Sequence, residues 1–253
     1  MSTPAIQARL RVAGYQARPA PAKEGLRLSD LAQRMWKPML AMGAMVIAAG
    51  IVLGIISAAS ANDYFGLTGT AIQGAAANGA IVSDRALYEA VSNGFLPPLL
   101  FLGLGFLLSG VTFLLATILG TLRDGGREIQ RAVGGDAVDL VKPITAKLFP
   151  PVMMIGLMVL IAGLVTGIVV AADQSTYWLH ASSQVAAGPN TGALTSDLAT
   201  IQSLRAWLQP LDFVGMALIL SGIVLALATI VTALRFQAGR VVQLGEAGNP
   251  AAS

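Results

Sequence analysis

The sequence contains no cysteine and a single histidine, His180, among its 253 residues. A chain without thiols forms no disulfide, binds no metal through thiolates and has no cysteine nucleophile. One histidine is too few for bis-histidine haem ligation or for the multi-histidine sites typical of zinc and copper. The sequence also lacks a Walker loop, a nucleophile elbow and an HExxH motif. We therefore expect a protein that is not an enzyme, with no catalytic residue, no cofactor and no metal site.

Charge is scarce as well. Only 11% of the residues are charged and 55% are hydrophobic, whereas about a quarter of a soluble domain is charged. The mean hydropathy is +0.71, which indicates that most of the chain lies in membrane lipid. Four apolar segments are each about long enough to cross a bilayer. We name them spans 1 to 4, at residues 38–60, 97–122, 150–172 and 210–234.

A proline lies at or near the start of each span, at Pro38, Pro98, Pro151 and Pro210. Proline fits the first turn of a helix because its missing N–H has no intrahelical partner there. We therefore expect the prolines to mark four helix starts. Ahead of span 1, residues 26–37 predict either a short helix lying on the membrane or the polar start of span 1 itself. Residues 1–25 predict a disordered arm.

The spans form two pairs of similar sequence. At an offset of 113, residues 38–64 and 151–177 share twelve identical residues of 27. At an offset of 112, residues 98–123 and 210–235 share a proline, a Ser-Gly pair and a terminal arginine. Chance similarity between apolar helices explains matched aliphatic residues but not this set at a constant offset. We infer a duplicated module of two spans. An even number of spans per module makes the repeats parallel and not inverted.

The basic residues predict the orientation. Of the 16 lysines and arginines, 14 lie in residues 1–37, 123–148 and 235–253, and the two long loops hold only Arg85 and Arg205. The positive-inside rule then places both termini in the cytoplasm. These charges lie beside membrane ends without interleaved aromatic residues, which argues against a nucleic-acid partner. The Ala/Gly-rich, cysteine-free composition suggests a bacterial inner membrane.

These observations predict an all-α integral membrane protein with four transmembrane helices in two tandem repeats. Its predicted segments are a cytoplasmic arm with a short interfacial helix (1–37), a first membrane repeat (38–123), a cytoplasmic loop (124–148), a second membrane repeat (149–236) and a cytoplasmic tail (237–253).

Small residues recur at helical spacing within the spans. In lipid no hydrophobic force drives helices together, so close contact at small residues holds them. We therefore predict that two sets of small residues serve helix packing. Spans 1 and 3 would meet each other through the glycines of the first set, for which a glycine-lined pore is the alternative. The first set is Gly43, Gly50, Gly54, Gly156, Gly163 and Gly167, and the second is Ser109, Gly110, Ser221 and Gly222.

Asp212 breaks the repeat, since the residue at the equivalent position is Leu100. In the first turn of span 4 an acid is favourable, because it lies at the positive end of the helix dipole. The functional alternative is an ion or proton site at the mouth of a pathway.

The leading functional prediction is a non-catalytic integral membrane subunit that packs within a larger inner-membrane complex. Its partners would be membrane lipid and other integral membrane subunits, or further copies in a homo-oligomer. The prediction depends on the abundant small residues and on the near absence of ionisable residues within the spans. The alternative is a small oligomeric channel or transporter with a site near Asp212.

Overall fold

The computed structural model describes residues 17–19, 28–68, 79–132, 138–140, 144–184 and 192–247. Two short strands, β1 (Ala17–Pro19) and β2 (Val138–Leu140), pair antiparallel. The other described elements are helical, as the sequence predicts. They are α1 (Leu28–Phe65), α2 (Gly79–Ala90), a π-helical turn (Val91–Phe95), α3 (Leu96–Ala132), α4 (Ile144–Gln184) and α5 (Gly192–Ala247).

Four helical segments are long and apolar enough to cross a membrane, which confirms the number of spans. They are Ala32–Phe65, Val82–Gly126, Ile144–Leu179 and Ser196–Gly239. The shortest has 34 residues, whereas about 20 residues suffice to cross the hydrocarbon core. The chain thus has the architecture of a multi-pass membrane protein.

The prediction that prolines mark the helix starts is wrong for three of the four prolines. Pro38 lies inside α1, Pro150 and Pro151 lie inside α4, and Pro210 lies inside α5. Proline removes one backbone hydrogen bond and crowds the carbonyl four residues earlier, but it does not always end a helix. In apolar surroundings the helical backbone is retained, because any other conformation leaves more polar groups unsatisfied.

Pro98, the remaining one of the four prolines, follows the π-helical turn. In that turn the N–H of Leu96 donates to the carbonyl of Val91, which closes a wider ring than an α-helix does. Pro97 and Pro98 come next and offer no N–H to the carbonyls before them. The chain therefore passes from α2 into α3 without leaving helical geometry.

Several helices extend beyond their apolar segments. α1 begins at Leu28, so residues 28–37 are the polar start of that helix and not a separate interfacial helix. α3 and α4 reach into the predicted loop 124–148 from either side, and α5 runs on to Ala247 in the predicted tail. Hydropathy marks where a helix is apolar, not where its backbone hydrogen bonds end.

The predicted disordered arm contains β1, in which Ala17 lies opposite Leu140 of β2. For these three residues the prediction of disorder is wrong, since a second strand supplies backbone partners. The remainder of residues 1–25 lies outside the described residues.

Contacts divide the chain into two compact units. The first unit is Met1–Pro38, Ser109–Met153 and Leu220–Ser253, and the second unit is Met39–Leu108 and Met154–Ile219. Each of the four long helices contributes residues to both units. In the second unit the most deeply buried apolar side chains are Leu160, Val170 and Ile219, and in the first unit Ala226, Ala233 and Phe236 are buried.

Candidate functional site

In the second unit the predicted packing glycine Gly43 lies against α3. A Cβ placed on Gly43 would lie 2.7 Å from the backbone nitrogen of Leu107 and 2.8 Å from the carbonyl oxygen of Gly103. These distances are too short for any side chain to fit, so glycine is what allows the two backbones to approach this closely.

The same contact occurs between α4 and α5. A Cβ on Gly156 would lie 3.0 Å from the backbone nitrogen of Ile219 and 2.9 Å from the carbonyl oxygen of Gly215. Residues 156, 215 and 219 are the positions equivalent to 43, 103 and 107 at the two repeat offsets. One arrangement of three backbone positions is therefore built twice.

A second equivalent pair has the same geometry but different chemistry. A Cβ on Gly50 would lie 2.6 Å from Cδ2 of Leu100, and a Cβ on Gly163 would meet the carboxylate of Asp212. Because positions 100 and 212 are equivalent, the second pair of helices places a carboxylate where the first places a leucine side chain.

Gly54 and Gly167 have different surroundings although they are equivalent. Of the described residues, only Leu96 lies within 4 Å of a Cβ on Gly54, at an ordinary contact distance of 3.6 Å. A Cβ on Gly167 would lie 2.6 Å from Cγ of Pro98 and 3.3 Å from the carbonyl oxygen of Gly94. Gly167 therefore packs α4 against the π turn and the start of α3.

This contact continues one turn further along α4. A Cβ on Gly94 would lie 2.9 Å from Cα and 2.7 Å from Cβ of Ala171. Gly94 and Pro98 are buried, and Ala171 is 7% exposed. We name this set of four residues, Gly94, Pro98, Gly167 and Ala171, the α3–α4 contact.

Two pairs of residues at equivalent sequence positions contact each other directly. The rings of Phe101 and Phe213 lie 5.5 Å apart between centroids at 69°, and Nη2 of Arg205 donates to Oδ1 of Asn93 at 2.7 Å. Both pairs are related by 112 residues. Within the second unit these two contacts join the segment 91–108 to α5.

The expectation that spans 1 and 3 meet through their glycines is therefore wrong. The nearest neighbours of Gly43, Gly50 and Gly54 lie in α3, and those of Gly156 and Gly163 lie in α5. A sequence motif identifies a face suited to close packing, but it does not say which helix covers that face.

Asp212 is buried, with 1% of its surface exposed. Its Oδ1 has no hydrogen-bond partner among the described residues. The explanation from the helix dipole is wrong, because α5 begins at Gly192 and the dipole acts only within the first turn. An unpaired buried carboxylate is costly, and ionisable residues at such positions in membrane helices are typical of functional sites.

The Ser-Gly pairs lie in the first unit, and their two copies differ in burial. Ser109 is fully buried and its Oγ has no hydrogen-bond partner among the described residues. Ser221 is exposed, and Gly222 is buried with its Cβ position 3.2 Å from Cβ of Met153. Their role in helix packing stays a prediction.

Arg85 forms a contact that the sequence analysis did not predict. Its guanidinium carbon lies 3.6 Å from the ring centroid of Trp178 and 5.2 Å from that of Tyr64. Its Nη1 also donates to the hydroxyl oxygen of Tyr64 at 2.8 Å. A desolvated cation over aromatic rings is worth up to about 2 kcal/mol. The signal was available, since Arg85 is one of only two basic residues in the long loops.

Two further buried polar residues occur where the similar segments 38–64 and 151–177 differ. The hydroxyls of Ser57 and Ser92 are hydrogen-bonded at 2.6 Å, whereas the residue equivalent to Ser57 is Val170. Gln174 is 3% exposed and its Oε1 has no partner among the described residues; its equivalent is Ala61. The sequence signal that identifies these sites is a polar residue whose equivalent position, 113 residues away, is apolar.

The arrangement combines closely packed helices with one buried carboxylate that can hold a proton or a cation. Among the described residues no group of three or more histidine, aspartate or glutamate side chains is placed to hold a metal ion. No protein-family model, no curated protein and no solved structure matches the chain.

Proposed function

We propose that the protein is a non-catalytic integral membrane subunit whose helices pack laterally with partners in a larger complex. The observation that carries this proposal is the exposure of α1. In its most apolar 18-residue segment 11% of the residues are buried, compared with 33% in each of the other three spans. α1 also exposes small residues, among them Ala48, Ala58 and Ala59. Small residues on an uncovered membrane helix support close packing with another helix.

We further propose that the chain consists of two tandem parallel repeats in a bacterial inner membrane, with both termini in the cytoplasm. The contact of Gly43 with Leu107 and its counterpart at Gly156 and Ile219 support the duplication. The distribution of basic residues supports the orientation.

The absence of cysteine makes the orientation directly testable. Asn62→Cys and Gly125→Cys each introduce one thiol at an exposed position. A membrane-impermeant maleimide should label Asn62→Cys in intact spheroplasts and label Gly125→Cys only after lysis. The reverse pattern would overturn the proposed orientation.

The subunit proposal is tested by purifying the tagged chain from its native membrane in mild detergent. Native mass measurement should find it with stoichiometric partners, either other membrane proteins or further copies of 26.0 kDa. Recovery as an isolated monomer under conditions that preserve a known complex of the same membrane would contradict the proposal.

A second candidate function, a small channel or transporter, is favoured by the buried and unpaired Oδ1 of Asp212. Reconstituted liposomes containing the chain should then show proton or cation flux that Asp212→Asn abolishes. Asp173→Asn is the matched control, because Asp173 is an exposed carboxylate in α4. No flux from the parent chain, or equal flux from both variants, would exclude a role for Asp212 in transport.

A further inference from the structure

Buried polar atoms without a hydrogen-bond partner are concentrated in the second unit. Among the described residues four buried side-chain polar atoms have no partner, and three of them lie in this unit: Nε of Arg85, Oε1 of Gln174 and Oδ1 of Asp212. Gln174 is 3% exposed and Asp212 is 1% exposed. Buried polar groups in proteins are nearly always hydrogen-bonded, either to protein or to ordered water. Three such atoms in one unit therefore point to bound water.

Contacts place these three atoms along one side of α4. Asp212 lies against Gly163, and the guanidinium of Arg85 lies over the ring of Trp178. Five positions of α4 at spacings of four, four, three and four residues form this side of the helix, with the α3–α4 contact in its middle. We name it the packed face of α4, and it consists of Gly163, Gly167, Ala171, Gln174 and Trp178.

The packed face is long enough to lead from the membrane surface to the interior. A helix rises 1.5 Å per residue, so Gly163 and Trp178 are about 22 Å apart along the axis. The hydrocarbon core of a bilayer is about 30 Å thick. Asp212, opposite Gly163, therefore lies deep in the membrane, with Gln174 between it and the Trp178 end.

A backbone carbonyl lies on the same face, between Asp212 and Gln174. The carbonyl oxygen of Gly94 is 3.3 Å from a Cβ on Gly167, so it points at α4. In an α-helix it would accept the N–H of residue 98, but residue 98 is a proline. Helix positions four residues apart are separated by about 5–6 Å, which two hydrogen bonds of about 2.8 Å through one water molecule span.

The surroundings of Gln174 leave its amide to water. Segment 85–98 runs antiparallel to α4, because its two ends contact Trp178 and Gly167 respectively. Gln174 lies between these two contacts, where Ala90 of the segment is buried. Alanine has no polar side-chain group. A buried water molecule needs polar partners and a small volume, and the combination of an amide with an alanine provides both.

On the other side of Asp212 the interface is apolar. Leu160 and Ile219 are fully buried there, and a Cβ on Gly156 would lie 3.0 Å from the backbone nitrogen of Ile219. None of the three unpartnered side-chain atoms of the second unit lies beyond Asp212 in this direction. A hydrated path along α4 therefore reaches Asp212 from the Trp178 end only.

Charged groups lie only at the outer end of this path. Arg85 is at Trp178, and Asn93 is hydrogen-bonded at 2.7 Å to both Glu89 and Arg205. Asp212 is the one charged residue of the apolar segments of the second unit, which are 39–60, 96–108, 154–172 and 206–219. A proton that enters the path is therefore held at Asp212.

We propose that a file of water molecules lies along the packed face of α4 and carries protons between Asp212 and the end of the unit at Trp178. In the proposed orientation this end is on the outer side of the membrane. The inference rests on the second candidate function and deepens it by naming the proton as the ion and the outer side as its entrance. An arriving proton converts the carboxylate of Asp212 into a neutral carboxyl, and no other reactant is needed. A metal cation fits less well, because calcium and magnesium ions take six or more oxygens around one point, whereas these oxygens are spread along the helix.

Exchange of the Asp212 proton with D2O tests the path. Infrared spectra of the chain in lipid bilayers should contain a carboxyl C=O band that Asp212→Asn removes, and this band should shift when D2O replaces H2O. Gln174→Leu introduces an apolar side chain of similar size and should slow the shift about tenfold, because bound water needs polar partners. Gln209→Leu, the same substitution at an exposed position three residues before Asp212, should keep the parent rate.

A conservative variant separates the path from a structural role of Gln174. Gln174→Asn retains an amide and leaves space for water, so it should also keep the parent rate. Equal slowing by Gln174→Asn and Gln174→Leu would overturn the proposal, and so would a parent rate in Gln174→Leu. The absence of any band that Asp212→Asn removes, over the pH range in which the chain stays folded, would overturn it as well.

The side of access is tested with an apolar carbodiimide, which crosses lipid and modifies protonated carboxyls but not carboxylates. The chain is placed in proteoliposomes whose orientation is determined with Asn62→Cys. Raising the pH on the Trp178 side should lower the modification of Asp212, because its proton is then lost to that side. Raising the pH on the other side should leave the modification unchanged, and the reverse dependence would overturn the proposed entrance.

Failure of this inference is distinguishable from failure of the candidate function on which it rests. Proton flux that Asp212→Asn abolishes, with D2O exchange unaffected by Gln174→Leu, would retain Asp212 as a transport site and overturn the path. Fast exchange that Gln174→Leu slows, without any flux from the parent chain, would retain the path and overturn transport.

Discussion

The pair α1 and α3 and the pair α4 and α5 have similar sequences but different environments. Gly43 and Gly156 make equivalent backbone contacts with the partner helix of their own pair. Gly54 and Gly167 do not, because α4 has a second neighbour at Pro98. The comparison teaches that equivalent helices keep the contact within each pair, whereas the surroundings beyond the pair determine which further faces are buried. Substitutions at equivalent positions can test this distinction.

The largest expected difference is at Gly94 and its counterpart Ala206. Gly94→Leu places a side chain where a Cβ alone would lie 2.9 Å from Cα of Ala171, so the helices must separate. We expect the free energy of unfolding to fall by about 3 kcal/mol. Ala206→Leu, at an exposed position, should change it by less than about 0.5 kcal/mol.

Unfolding of the monomeric chain by SDS in mixed micelles measures the change in the free energy of unfolding for Gly94→Leu and for Ala206→Leu. Equal losses at the two positions would show that Ala206 is covered within the chain and would contradict its exposure.

At Gly43 and Gly156 we expect substitution by leucine to lower the free energy of unfolding by equal amounts. Leucine at either position collides with backbone atoms of the partner helix at 3.0 Å or less, and each substitution should cost about 2 kcal/mol. Gly54→Leu is the matched control, since its Cβ position has only the 3.6 Å contact with Leu96 among the described residues. The same SDS titration measures all three variants. A loss at Gly156 several times that at Gly43 would indicate that the two contacts are not equivalent.

A smaller effect of opposite sign is expected at Asp212. Asp212→Leu restores the residue of the equivalent position, Leu100, and removes a carboxylate whose Oδ1 has no partner. The free energy of unfolding should rise by roughly 1–2 kcal/mol.

The reciprocal substitution Leu100→Asp should lower the free energy of unfolding. Destabilisation by Asp212→Leu would show instead that the carboxylate is paired with a bound cation, a water molecule or another subunit.

The smallest effect is expected at the Ser57–Ser92 hydrogen bond. A double-mutant cycle of Ser57→Ala and Ser92→Ala should give a coupling energy of about 0.6 kcal/mol. The equivalent pair, Val170 and Leu204, has no hydroxyl, so a cycle of Val170→Ala and Leu204→Ala reports packing alone. A coupling near zero for the serines would mean that their hydrogen bond contributes nothing measurable.

Much of the fold could be predicted from the sequence, and the exceptions have physical causes. The four apolar runs were enough to predict the four spans, since the length of each run as a helix matches the thickness of a bilayer. The helix starts were predicted wrongly at Pro38, Pro151 and Pro210, because in lipid an interrupted hydrogen bond costs less than an unwound turn. The aromatic contacts of Arg85 were not predicted, since they join residues far apart in the chain.

The sequence by itself determined the four spans, the paired glycines and the repeat of residue types at a constant offset. Only the tertiary structure decided that Pro98 is buried while Pro210 is exposed, that Gly167 has a second neighbouring helix, and that Asp212 lies far from the start of its helix. The physical reason is the solvent. In water an apolar face predicts burial, but in a bilayer lipid and protein are equally apolar, so hydropathy does not distinguish a covered face from an exposed one.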